Sequence, residues 1–165
     1  MVTPLQIIGH KNSGKTTVIE DFLTLLKQQQ QSVCVLKHDP HQAQMDQPGT
    51  DTAKFATAGA QTAVLVTNQA VMSHQKAPQV PQAKTLVQTY AKPGQFCLLE
   101  GFKTAPYPKV VLLRPGETAA VFAGIKQIIA FTSLYPQAVP QNCIDFSTTL
   151  KRQVWLQRYL KKEGF

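Results

Sequence analysis

The chain has 165 residues, 43% of them hydrophobic, enough for one domain with a substantial core and too few for two comfortable ones. Its formal charge of +8 raises the question of nucleic acid. The basic residues, however, form no dense run beyond Lys151-Arg152 and Lys161-Lys162, and no aromatic residues interleave with them, so nucleic-acid binding is not expected. No apolar run approaches the ~20 residues of a membrane span, and Pro4 and Gln6 stand where a signal-peptide core would lie, so a cytoplasmic protein without a membrane association is expected.

In chain order, Leu5 to Ile8 is short, apolar and partly β-branched, and reads as a buried strand stopping at Gly9. Val18, Ile19, Phe22, Leu23, Leu25 and Leu26 recur near a 3.6 spacing and predict a helix over 15–31. Ser32 to Lys37 is the next strand, which completes a βαβ unit and implies a parallel sheet. Residues 38–51 read as a long polar loop, with Asp51 or Thr52 capping a helix to about Ala58. Thr62–Thr67 and Ala70–Ser73 suggest a hairpin, 75–83 a Gln/Pro-rich linker, and 84–90 a short helix. Further strands are expected at 95–99, 109–113, 125–131 and 143–146, followed by a helix over 149–162. The three cysteines, Cys34, Cys97 and Cys143, each sit in a strand-like apolar run and read as buried hydrophobes, not ligands. No repeat or domain boundary stands out, and 1–165 reads as a single three-layer α/β/α domain of P-loop NTPase type with a mostly parallel sheet.

The chemistry is concentrated in Gly9-His10-Lys11-Asn12-Ser13-Gly14-Lys15-Thr16, which fits G-x-x-x-x-G-K-[ST], the P-loop or Walker A pattern, between a strand and a helix. Glycines at 9 and 14 let consecutive amides of Lys11, Asn12 and Ser13 turn inward around a phosphate. The helix N-terminus adds unpaired N–H groups and its positive dipole end. Lys15 is placed for the β- and γ-phosphates, Thr16 for a Mg²⁺ ion, and Thr17 for the α-phosphate. A second oxygen for the metal is expected from Glu100, where the most apolar strand ends; the other readings of that carboxylate are solvation or pairing with Lys103. Lys37-His38 leaves another strand at the same edge and reads equally as site or as solvated punctuation. His38 with His41 does not amount to a metal cluster.

Four pieces in this order resemble the molybdopterin-guanine dinucleotide biosynthesis protein B (MobB) family. They are Ser13-Gly14-Lys15-Thr16-Thr17, Val35-Leu36-Lys37-His38, Asp46 to Thr52 leading to Ala58-Gly59-Ala60, and Leu99-Glu100-Gly101-Phe102-Lys103 followed by Lys109-Val110-Val111. The resemblance spans roughly the first two-thirds of the chain. It implies a homodimeric, weakly hydrolysing GTP-binding protein that assists a MobA-type nucleotidyltransferase in forming the guanine dinucleotide of the molybdenum cofactor. Molybdopterin or its dinucleotide is then a further ligand. It also makes site candidates of Lys37 (as a catalytic cation beside Lys15 and Glu100), His38, Asp46, Asp51, Gly101, Phe102 and Lys103. Where the family tends to carry Ser-Asp before a proline, this chain has Ser133-Leu134-Tyr135-Pro136, which leaves ATP open beside GTP. Asp39 and Gln47 are further departures. Two other classes are compatible with the motif: a small-molecule kinase, although arginine occurs only at 114, 152 and 158 and no arginine-rich lid is visible, and a non-catalytic nucleotide- or pterin-binding module.

Overall fold

The computed structural model describes residues 3–40 and 46–164. His41 falls outside them. In chain order the elements are β1 (Leu5–Gly9), α1 (Lys15–Gln28), β2 (Val33–Lys37), α2 (Asp51–Thr57), β3 (Thr62–Val66), β4 (Val71–Gln75), α3 (Ala83–Tyr90), β5 (Phe96–Glu100), β6 (Lys109–Leu112), β7 (Ile128–Ser133), β8 (Ile144–Asp145) and α4 (Thr149–Glu163). They form two compact units, one from Met1–His38 with Gln82–Phe165, the other from Asp39–Pro81.

The larger unit holds a six-stranded sheet in the order β2-β5-β1-β6-β7-β8, parallel throughout. β1, β5 and β6 are buried along their whole length, as central strands covered on both faces must be. On one face α1 and α4 press Val18, Ile19, Phe22, Leu25, Leu26, Leu156 and Leu160 against Leu5, Ile7, Leu98, Val110 and Leu112. Trp155 stacks on Phe22 and Tyr159, and Arg152 on α4 reaches Asp21 on α1 at 2.5 Å. On the other face Ala83 and Val87 of α3 cover Cys97 and Leu99. This is the α/β P-loop NTPase fold that the sequence predicts.

Several element ends differ from expectation, for local reasons. α1 stops at Gln28, short of Gln31, because Gln30 takes a left-handed conformation (φ 55°). β7 starts at Ile128 instead of Ile125, since Gly124 and Gln127 both have positive φ and interrupt the extended run there. β8 keeps only two residues of the strand expected from Cys143. All three cysteines are free thiols; Cys97 is buried, but Cys34 and Cys143 are only half-buried because they lie on or beside the sheet's outer strands.

The smaller unit is α2 followed by the antiparallel β3–β4 hairpin. Its helix is capped by Thr50, one residue earlier than expected: the Thr50 side chain accepts from the Ala53 N–H.

Candidate functional site

Because β1, β5 and β6 lie side by side and run parallel, their C-terminal ends deliver Gly9, Glu100 and Arg114 to one edge of the sheet, the edge where open α/β sheets bind ligands. The Gly9–Lys15 segment connects β1 to α1 there. Its glycines are sterically required: a Cβ on Gly9 would lie 2.4 Å from Ser13 Oγ and 2.7 Å from the Leu112 carbonyl oxygen. At Gly14, with φ +89°, a Cβ would lie 2.2 Å from Leu134 Cδ1. Asn12 is also left-handed (φ 62°), and the Ser13 N–H closes the turn onto the His10 carbonyl oxygen at 3.3 Å. Ser13 Oγ is buried without a hydrogen-bond partner among the described residues.

Lys15 begins α1 and its Nζ donates to the His10 carbonyl oxygen at 2.8 Å, across the loop. Burial holds its ammonium below the ordinary lysine range; Glu100 opposes this, and Lys103, Lys37 and Arg114 add to it. The loop lysine therefore sits among three other cations and one carboxylate, a concentration of positive charge at a helix N-terminus. Thr16 and Thr17 lie exposed in the first turn of α1.

On the β2 side, Lys37 and Glu100 are register partners and their side chains meet at 3.5 Å, so the carboxylate's ion pair is with Lys37, not Lys103. Glu100 is only 8% exposed. Past it the chain turns sharply: a Cβ on Gly101 (φ +84°) would lie 2.8 Å from the His38 carbonyl oxygen, and Phe102 is left-handed at φ 52° with its ring 5.1 Å from that of His38. A phenylalanine in that conformation is strained and must be held by its surroundings. The fully buried Gln6 does part of this, its Nε2 donating to the Gly101 and Phe102 carbonyl oxygens at 3.0 and 2.8 Å. Lys109, register partner of Gln6 and equally buried, donates to the carbonyl oxygens of Ala105 and Tyr107 at 2.5 and 2.8 Å. Lys103 is exposed, with Nζ 6.0 Å from the centre of the Phe122 ring.

On the β6 side lies a cluster that the motif does not announce. Glu117 Oε1 accepts from Arg114 Nε at 2.7 Å, pairs with Nη2 at 2.6 Å, and lies 2.7 Å from His10 Nδ1; Oε2 accepts from the Arg114 backbone N–H at 2.9 Å. Burial pushes the Glu117 carboxyl up, but the bonds from Arg114 and His10 outweigh it and leave it below the usual carboxylate range.

Two of the sequence-predicted residues belong to the smaller unit, where they do local work. Asp46 accepts from Thr52 Oγ1 at 2.5 Å and from the Gln47 N–H at 2.7 Å, and the Thr52 bond chiefly holds it below the usual carboxylate range. Asp51 opens α2, exposed, 3.2 Å from Lys54. Sequence reasoning missed Gln6, Lys109, His10, Arg114 and Glu117. The available signal was a polar residue inside or at the start of an otherwise apolar strand, Leu5-Gln6-Ile7 and Lys109-Val110-Val111.

A parallel sheet, a glycine-bounded loop between its central strand and a helix, and a lysine opening that helix define a P-loop NTPase fold. Within it, the profile of the family described as molybdopterin guanine dinucleotide synthesis protein B matches residues 4–134, and the chain belongs to that family. The molybdopterin-guanine dinucleotide biosynthesis adapter protein of Haemophilus influenzae is 28% identical over 144 residues, 87% of this chain and 81% of that protein. A probable adapter protein of the same description from Bacillus subtilis is 38% identical over 116 residues, 68% of this chain and 66% of that one. Among solved structures, a MobB homologue from Bacillus stearothermophilus superposes with a TM-score of 0.72 at 21% identity, covering 96% of this chain and 97% of its own. The Bacillus subtilis MobB crystal structure gives 0.72 at 25% identity, covering 94% and 97%.

Proposed function

We propose that this chain binds a Mg²⁺–nucleoside triphosphate, GTP in the first instance, and acts as an adapter in forming molybdopterin guanine dinucleotide. Its partner is a MobA-type nucleotidyltransferase, and the chain works as a homodimer. The observation that carries the reading is Lys15: it opens α1 behind a loop whose glycines admit no side chain, and its charge is crowded by Lys37, Lys103 and Arg114. Such crowding is relieved by a polyanion. The site also fits Mg²⁺ by its donor set, a Glu100 carboxylate and a Thr16 hydroxyl, both hard oxygens; among the described residues no cluster of three or more His, Cys, Asp or Glu could hold a metal by itself. A bound Mg²⁺ would neutralise charge on the β- and γ-phosphates. The residues of the chain cradle the phosphates with loop amides and hold Lys15 against them. Slow turnover and a helper role belong to the same reading, with the rate set by the partner.

Titration calorimetry with GTP and ATP, with and without Mg²⁺, tests the reading. Lys15→Ala should weaken triphosphate binding by about 100-fold, the size of a lost charged hydrogen bond, with thermal stability retained. Unchanged affinity in that variant would remove the nucleotide from this loop.

A further inference from the structure

We infer that Arg114 is a catalytic cation for the γ-phosphate of the bound triphosphate and that Glu117 is the residue that positions it. The inference rests on the nucleotide-binding reading above and adds to it a charge supplied from the β6 side.

Among the described residues, Lys37, Lys103 and Arg114 act electrostatically on Lys15, and their surroundings differ. Lys37 already faces the Glu100 carboxylate at 3.5 Å. Lys103 is exposed on a flexible stem above an aromatic ring. Arg114 alone is fixed as a fork: Nε and Nη2 are taken by one oxygen of Glu117, whose side chain is only 10% exposed, while Nη1 approaches the Lys11 carbonyl oxygen at 3.5 Å. Of the five N–H donors of a guanidinium, the terminal nitrogens keep donors beyond these bonds. They sit beside the loop's first turn, near the Lys11 carbonyl oxygen.

Glu117 does more than hold the arginine. The same oxygen touches His10 Nδ1, and the His10 carbonyl oxygen accepts from Lys15 Nζ. Lys15, His10, Glu117 and Arg114 thus form one connected path, which ties the guanidinium to the same residue that orients the loop lysine. The packing of the His10 ring 5.2 Å from Phe122 fixes the middle of that path. A cation held this way loses little freedom when it meets a developing negative charge, which is how fixed donors lower a barrier.

The step it serves is hydrolysis. A water oxygen bonds to the γ-phosphorus and the bond from that phosphorus to the β,γ-bridging oxygen breaks. Its electron pair stays on the nucleoside diphosphate, and both protons of the water leave with the inorganic phosphate as H2PO4−. Arg114 donates to the oxygens on which charge builds during that transfer.

The test compares wild type, Arg114→Ala, Arg114→Lys, Glu117→Gln and, as a charge control on the exposed face of α4, Arg158→Ala. For each, GTP affinity is measured with a fluorescent analogue, GTP turnover by phosphate release, and binding of GDP with aluminium fluoride, which mimics the phosphate in transit. Arg114→Ala should lower turnover about 100-fold and lose most of the aluminium fluoride complex, while GTP affinity falls far less. Arg114→Lys should recover only part, because a lysine restores charge but not the fork. Glu117→Gln should fall between them, and Arg158→Ala should match wild type. Turnover and aluminium fluoride binding in Arg114→Ala equal to wild type, with GTP still bound, would overturn the role of Arg114 and leave the nucleotide reading standing. Absence of GTP binding in the wild-type protein would overturn both.

Discussion

The two flanks of the Gly9–Thr16 loop are built in opposite ways. On the β2–β5 side, residues are placed by backbone: Lys37 and Glu100 meet because they are register partners on parallel strands, and Gly101 and Phe102 follow in forced left-handed conformations. On the β6 side, the placing is done by side chains, with Glu117 gathering Arg114 and His10 from different segments. The first arrangement follows from strand register and local backbone; the second needs the His10 side chain to reach a local Arg114–Glu117 pair from a distant segment. The β5 flank is consequently intolerant of added atoms at Gly101, and it shares with the β6 flank a dependence on buried polar groups.

The largest expected contrast is between one glycine on each flank. Gly101→Ala should cost about 3 kcal/mol, combining left-handed strain with a backbone oxygen at 2.8 Å that cannot easily move away. Gly116→Ala, also at positive φ (78°) but with nothing within 4 Å, should cost about 1 kcal/mol. Urea denaturation of both variants measures this directly, and equal losses would mean that the close approach at Gly101 relaxes without cost. Next in size, Lys109→Met should lose about 2 kcal/mol, because it takes the Lys109 donor from the Tyr107 carbonyl oxygen and leaves the Ala105 oxygen with the Tyr107 N–H alone. A neutral result would show that the 101–108 turn is held from elsewhere. The smallest effect belongs to Lys37→Ala, whose partner Glu100 is buried while the lysine itself is half exposed; below about 1 kcal/mol is expected from such a pair. If thermal melts showed a loss matching that of Lys109→Met, the pair would be a structural anchor of the β2 flank and its contrast with β6 would shrink.

The same asymmetry explains what was legible in the sequence. Strands β1, β5 and β6, helix α1 and the loop could be read because hydrophobic period, glycine spacing and chain order all agree locally. Glu100 was readable as the polar end of an apolar strand. Its partner was not, since a choice between Lys37 and Lys103 depends on strand register, and β2 pairing with β5 is a long-range fact. Glu117 was invisible for a related reason: in Arg114-Pro115-Gly116-Glu117 it looks like any charged residue after a turn, and only the fold brings His10 to it. Strand starts failed where a non-glycine residue took positive φ, as at Gln127, because composition carries no warning of that.

Leu134 meets the loop from the far side, at Gly14. It belongs to the core under α1, yet its Cδ1 occupies the space where a side chain on Gly14 would begin. The glycine demanded by the phosphate-loop pattern is therefore in part a statement about the bulk of a residue at the end of β7. A smaller residue at 134 would free that volume and leave only the left-handed backbone of Gly14 to exclude a methyl group. The two positions would then be expected to vary as a pair, with a change at one acting as a partial suppressor of a change at the other.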